Sequence, residues 1–291
     1  MAAETKMKAL TPLQKRAYAA SGYLVLPSFI SFAWLDRLEV AMQRFIDQSR
    51  ALTQSTPAIL LGPGHRPDDP RLRRIPQTGA LDPDFAEFGL NGPIVDVAED
   101  LLGPNLRLHH SKLNFKWSGG GEEIKWHQDI QFWPHSNYSL LTIGVYLRDV
   151  DEAMGPMGIY SSSHQQGLSS LRDQQGNWTG ALSNAELSNL DPSSIGLCNG
   201  PRGTITVHNC RAVHGSPTNR SPRMRPLLLH TYAAADAVPL TNLMDGIPFA
   251  NRLVRGQERP PIYDPEPCPM PPDFRSTGYT SIFASQGKAK V

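Results

Sequence analysis

Ile124-Lys125-Trp126-His127-Gln128-Asp129 is a β-like segment that ends on a histidine and an aspartate separated by one residue. Side chains at i and i+2 of a strand share a face, so the His127 imidazole and the Asp129 carboxylate are expected to converge on one ion. A distant partner of the same chemistry is His214, in Val213-His214-Gly215-Ser216. Two imidazoles and one carboxylate that leave coordination positions open suit a non-haem Fe(II) centre that handles O2. A His-x-Asp pair alone could equally be a surface hydrogen-bonded pair, so its surroundings decide the reading.

Eleven residues after His214 comes Arg225, at the head of the apolar run Pro226-Leu227-Leu228-Leu229. An arginine opening a buried strand needs an anionic partner, and a guanidinium fork matches a carboxylate in two parallel bonds. A dicarboxylic co-substrate, chelating the metal at one end and meeting Arg225 at the other, fits both facts. Arg223 is the competing arginine, but it does not abut the apolar strand.

The pair lies among strands. Leu106-Arg107-Leu108-His109 and Leu113-Asn114-Phe115-Lys116-Trp117 alternate, Gly119-Gly120-Gly121 interrupts them, and Leu140 to Leu147, Met157 to Tyr160, Thr204 to His208 and Pro226 to Tyr232 follow. Before them, Thr11-Pro12 to Gly22 reads as a short capped helix and Tyr23 to Leu26 as a first strand. Ser31 heads a longer helix with Leu35, Leu38, Met42, Phe45 and Ile46 at core spacing, and Pro93 to Leu102 reads as a helix stopped by Gly103-Pro104. Residues 52–92, rich in Pro, Gly and Asp, are expected to be mostly loop, including Arg71-Leu72-Arg73-Arg74 as a solvated stretch. Residues 165–200 read as a polar insertion over one mouth of the sheet. Many short strands with helices outside give a mainly β fold, a jelly roll with N-terminal helices packed against it. The whole of 1–291 is expected to be one domain: a loose tail (1–9), helices and jelly-roll core (10–235), and a Pro-rich extension (236–291).

A net charge of +1 over 291 residues gives no electrostatic case for nucleic acid or an acidic membrane, and no apolar run approaches a membrane span. Three cysteines, Cys198, Cys210 and Cys268, lack metal or redox spacing, and with no secretory signal they point to reduced thiols in a cytoplasmic setting. The expected partner is a small molecule; oligomeric state is left open.

With His127-x-Asp129, His214-Gly215-Ser216 and Arg225 in this order, the chain resembles the phytanoyl-CoA dioxygenase (PhyH) family of Fe(II)/2-oxoglutarate oxygenases, from about Leu10 to Tyr232. The looser Asp149-Val150, Gly155-Pro156 and Ser163-His164 agree. The resemblance implies a cupin-like double-stranded β-helix that uses Fe(II), 2-oxoglutarate and O2. His127, Asp129 and His214 would hold the metal and Arg225 the far carboxylate. It also implies that Asn114 offers its amide to the metal-chelating end, with Ser216 and Thr142 beside the far carboxylate. His208 is the rival third ligand, without the Gly-Ser that follows His214. Gln131, Phe132 and Trp133 are expected near the substrate mouth, with rim packing as their plainer role. Lys112 and Lys116 share a strand face with Asn114, so a charge aimed at substrate is expected there. Adjacent His109 and His110 should face opposite ways and serve structure.

Met154-Gly155-Pro156, Ser161-Ser162-Ser163-His164 and Gly203-Thr204 depart from the family's usual turns, which sets the chain apart from members that process acyl-CoA. The expected reaction is hydroxylation of an unactivated C–H in a small metabolite, an amino acid or natural-product intermediate, with succinate and CO2 released. An aspartate at 129, where related halogenases carry a small residue, favours this outcome. Desaturation or cyclisation with the same cofactors, a non-redox cupin-type metal enzyme or binder, and a silent scaffold are the alternatives.

Overall fold

The computed structural model describes residues 9–119, 122–242, 244–272 and 282–288. Helix α1 (Pro12–Ser21) starts as its sequence predicts: the Gln14 amide donates to the Thr11 hydroxyl, the Thr11 amide donates to the Gln14 side chain, and Pro12 presets the first turn. Gly22 closes it in left-handed backbone (φ 81°), where a side chain would also strike the His164 ring. Strand β1 (Tyr23–Leu26) leads to α2 (Phe32–Ser49), which buries the expected stripe of Leu35, Leu38, Met42, Phe45 and Ile46. The Ser31 hydroxyl makes no capping bond there.

Residues 52–92 are more ordered than their composition suggests. They contain β2 (Leu60–Leu61), β3 (Leu72–Pro76), α3 (Thr78–Leu81) and α4 (Pro83–Asn91). Asp82 accepts from the Asp84 amide and Pro83 follows it, a start signal like that of α1. Phe85 and Phe88, one turn apart, bury fully; Phe88 meets Trp34 and His230 edge-on at 5.2 and 5.6 Å. The expected solvated loop at 71–74 is instead largely strand: Leu72 is core, Arg71 pairs with Asp69 and Arg73 with Glu122. Helix α5 (Pro93–Leu102) ends at Gly103 as expected.

Strand β4 (Leu106–Lys116) runs unbroken through two segments that the sequence suggests are separate. Then come β5 (Ile124–His127), β6 (Leu140–Tyr146), β7 (Met157–Tyr160), α6 (Asn184–Leu187), β8 (Ile195–Cys198), β9 (Ile205–Asn209), β10 (His214–Ser216), β11 (Arg225–Ala234), β12 (Arg252–Arg255) and α7 (Ile282–Lys288). The larger sheet has the order β1-β9-β6-β11-β4-β3-β2, with β12 also on β4; the smaller has β5-β10-β7-β8. All these pairings are antiparallel, and the chain crosses repeatedly between the two sheets, which is the jelly-roll arrangement. Two parts of the chain are thereby corrected. The 165–200 insertion contributes a strand, β8, to the smaller sheet, and the C-terminal extension contributes β12 and α7.

The helices α1, α2, α4 and α5 cover the outer face of the larger sheet in one continuous apolar cluster. Strand β6 is buried along its whole length because helices cover one face and the site occupies the other, hence its unbroken apolar sequence. Among the described residues no helix is long and apolar enough to cross a membrane, and Cys198, Cys210 and Cys268 are buried and free.

Candidate active site

The two distant histidines meet because β5 and β10 are neighbours in register, His214 directly opposite His127, with ring centroids 4.2 Å apart. Asp129 arrives differently from the i, i+2 strand geometry expected for it. Strand β5 stops at His127, and Asp129 opens a short 3-10 turn (Asp129–Gln131) that brings its carboxylate to the Nε2 edges of both rings. Its Oδ1 lies 3.6 Å from His127 Nε2 and 3.9 Å from His214 Nε2, and ligand atoms of the three residues lie within 4.8 Å of one another.

The surrounding backbone sets the tautomers. His127 Nδ1 faces the Lys125 carbonyl at 2.8 Å and His214 Nδ1 the Ala212 carbonyl at 3.0 Å. A carbonyl only accepts, so both Nδ1 atoms carry the proton and both Nε2 lone pairs face the Asp129 oxygen. Burial, reinforced by His127 and His208, holds His214 well below the ordinary imidazole range, in its neutral, ligating form. Burial alone would raise the Asp129 carboxyl, but Lys112 and the neighbouring imidazoles outweigh it and keep the group ionised.

His208, the rival ligand, has another place. Its Nε2 is 3.4 Å from Asp129 Oδ2, the oxygen turned away from the histidine pair, and Thr142 Oγ1 donates to the same oxygen at 3.2 Å. Both sit on the larger sheet, paired across β6 and β9. Together they fix the carboxylate so that Oδ1 stays free for a ligand. Thr142 also bonds Thr231 at 2.9 Å, six residues along β11 from Arg225, so it lies at the Asp129 end of the site and not beside the far-carboxylate position expected for it.

A cavity of about 360 Å³ opens between the two sheets at this point. At its far end Arg225 is buried, with Nη1 donating to the Gly155 carbonyl at 2.6 Å and to Ser216 Oγ at 3.2 Å. Among the described residues no carboxylate reaches it, and its Nε has no partner. Burial draws this guanidinium down from its ordinary value, yet an arginine stays charged, so its position suits an anionic group entering the cavity. Asn114 lines the same wall, its buried Oδ1 without a hydrogen-bond partner among the described residues. Lys116 turns its ammonium onto the Ser216 carbonyl, at 2.7 Å, and that of Pro217. Burial, with Arg225 adding to it, lowers Lys116 to about 6. The competing Arg223 is half exposed and paired with Asp151.

The family model for phytanoyl-CoA dioxygenase (PhyH) matches residues 18–227. The chain belongs to the phytanoyl-CoA dioxygenase family. A probable alpha-ketoglutarate-dependent hypophosphite dioxygenase of Stutzerimonas stutzeri is 39% identical over 166 residues, 56% of this chain and 58% of that protein. An ectoine dioxygenase of Sphingopyxis alaskensis is 27% identical over 76% of this chain and 75% of its own length. The crystal structure of EctD from S. alaskensis with bound Fe superposes with a TM-score of 0.71 at 22% identity, over 88% of this chain and 90% of that one, and so shares the fold.

The remaining expectations for this PhyH-family site divide by position. Phe132 and Trp133 line the cavity; Phe132 sits edge-on to His127 at 5.7 Å. Gln131 does not line it, because the 3-10 turn points it inward, where its amide bonds Gln128 Oε1 and the Ser169 carbonyl. Ser216 lies beside Arg225 as expected, and Lys112 lines the wall. Burial lowers the Lys112 ammonium to about 8, with Asp129 opposing the shift and Arg74 adding to it.

His109 and His110 do not face opposite ways. The β4–β11 register slips between Thr231 and Tyr232, leaving His109 in a bulge, and the two Nδ1 atoms approach to 2.7 Å. Arg74, Gln77, Met244, Ile247 and Ile282 also line the cavity and were not anticipated. The first two follow from Arg74 and Pro76 pairing with β4, a register invisible in the sequence. Among the described residues the polar insertion supplies no lining residue; it packs behind the site, with Trp178 edge-on to Phe132 at 5.6 Å.

Proposed function

We propose that this chain is an Fe(II)- and 2-oxoglutarate-dependent dioxygenase that oxidises a small molecule, most simply by hydroxylation, with succinate and CO2 as co-products. One observation carries the reading: two imidazoles and a fixed carboxylate converge at one end of a cavity whose other end holds a buried arginine that no carboxylate reaches among the described residues. The donor set suits Fe(II), and the unmatched guanidinium suits a dicarboxylate. The named relatives support the same chemistry, and those described above act on small molecules, ectoine and hypophosphite.

In this reading His127, Asp129 and His214 hold the iron. Bound there with 2-oxoglutarate, the metal supplies O2 activation coupled to oxidative decarboxylation of the co-substrate. The protein does the rest. Thr142 and His208 hold Asp129 by one oxygen and present the other. Arg225 and Ser216 receive the far carboxylate, and Asn114, on the same wall, would offer its amide N–H toward the chelating end. Phe132, Trp133, Met157, Leu227 and Leu229 line the cavity with apolar surface that excludes water from the reacting centre.

The test is succinate formation by the purified protein with Fe(II), 2-oxoglutarate and O2 across a panel of small metabolites. Succinate that disappears on omission of any of the three supports the reading. Turnover of a substrate without 2-oxoglutarate would contradict it and favour a non-redox metal enzyme.

A further inference from the structure

Resting on the reading above, in which His127 holds iron, we propose that Gln286 on the C-terminal helix α7 is a positioning residue for that ligand and acts through the Lys125 carbonyl. Gln286 lies outside residues 18–227, the part of the chain that the family model matches.

His127 and Gln286 meet at one peptide. The Lys125 carbonyl accepts the His127 Nδ1 proton at 2.8 Å, and that bond leaves Nε2 free for a metal. The same carbonyl accepts a second bond, from Gln286 Nε2 at 3.3 Å, while Gln286 Oε1 accepts from the Lys125 amide at 2.8 Å. A carbonyl oxygen has two lone pairs, so both of its bonds coexist. One carboxamide gripping the N–H and C=O of a single residue does the work of a neighbouring strand. Strand β5 has such a neighbour on one side only, because it is the end strand of the smaller sheet. Without Gln286 the Lys125 peptide would be free to tilt, and the imidazole tied to it would tilt with it.

Gln286 is itself held in place. Its side chain is buried, and Nε2 also donates to the Gly180 carbonyl at 2.8 Å. Gly180 stands in left-handed backbone (φ 68°), where a Cβ would lie 2.9 Å from Ser285 Oγ and 3.1 Å from the Phe132 ring. Helix α7, the polar insertion and Phe132 therefore pack without slack, and Phe132 is the ring that sits edge-on to His127. One turn before Gln286, Ile282 lines the cavity, so the helix that braces the ligand also forms part of the wall. A carboxamide bonded to two backbone sites at once has little freedom to swing, which is what orienting a metal ligand demands.

The experiment titrates full-length, metal-free protein with Co(II) and follows its visible absorption, which reads affinity and ligand geometry without turnover. Gln286→Met keeps an unbranched side chain of similar size and removes the three bonds. It should weaken Co(II) binding by about tenfold, the size of effect expected for a ligand's orienting partner, and shift the absorption. Gln286→Glu keeps the bond from the Lys125 amide, loses the two donated ones and should weaken Co(II) as well; it decides the matter if Gln286→Met fails to fold. Ser285→Ala removes the 3.4 Å bond from the same helix to the Thr179 carbonyl and should bind Co(II) like wild type. Urea midpoints of the metal-free proteins show which variants are folded. Wild-type affinity and absorption in a folded Gln286 variant would overturn the proposal and leave Gln286 a helix anchor. Equal weakening by Ser285→Ala would overturn it too, since any loosening of α7 would then suffice. If His127→Ala bound Co(II) as tightly as wild type, or wild type bound none, the iron-site reading would fail and this proposal with it.

Discussion

Asp129 divides its two oxygens between two tasks, and the division can be measured. Oδ2 is held by Thr142 and His208 while Oδ1 faces the histidine pair. Hydrogen bonds to a ligating carboxylate are commonly worth 10–100-fold in metal affinity, so Thr142→Val should weaken Fe(II) binding by about tenfold in an anaerobic titration. Unchanged affinity would mean that the carboxylate is fixed without it. At the other end of the cavity, Arg225→Ala removes a bidentate partner worth on the order of 2–5 kcal/mol. It should therefore raise the KM for 2-oxoglutarate by about 30-fold or more, with Fe(II) binding retained. The same effect from Arg223→Ala, and none from Arg225→Ala, would reassign the clamp. Residue types and order made the cluster of His127, Asp129 and His214 and the buried Arg225 legible in the sequence, because each stands in a distinctive local pattern. The neighbours of Asp129 were not legible. Thr142 and His208 reach it through the pairing of β6 with β9, and no local signal encodes that register.

At the scale of elements, α4 joins the helical layer to the sheet that carries the site. Phe88 is fully buried between Trp34 on α2 and His230 on β11. Phe88→Ala should lower unfolding free energy by about 3–5 kcal/mol, read by urea denaturation. A loss under ~1 kcal/mol would show that the layers reclose around the gap. Strands with strong apolar character and helices with clear caps were legible: β7 spans Met157–Tyr160, and α5 begins at Pro93, both as read from the sequence. Elements in polar surroundings were not. Helix α4 was masked by the Pro- and Asp-rich composition around it, although Asp82-Pro83 and the Phe85, Phe88 spacing were available signals. Short edge strands such as β8 and β12 take their order from a neighbour's backbone more than from their own side chains.

The whole molecule buries several histidines outside the candidate triad, and this sets its response to acid. Burial pushes His230 down to about 3 and His135 to about 4, and holds His109 and His110 well below the ordinary range. The unfolded chain takes up protons below about pH 6.5 that the folded chain refuses. Stability is therefore full above that value and falls as the pH drops toward 4, by on the order of 1 kcal/mol per pH unit for each histidine involved. Urea midpoints of metal-free protein should drop from about pH 7 to about pH 5, and His230→Leu should flatten part of that slope. An equal slope in the variant would place the linkage elsewhere.

The proposed oxygenase requires His127, Asp129 and His214 to act together as one iron site, and anaerobic Fe(II) titration in the presence of 2-oxoglutarate tests this most directly. Wild type and His208→Ala should each take up one iron per chain, the variant more weakly, whereas Asp129→Ala and His214→Ala should take up none at the same concentrations. One iron retained by His214→Ala and lost by His208→Ala would contradict the account.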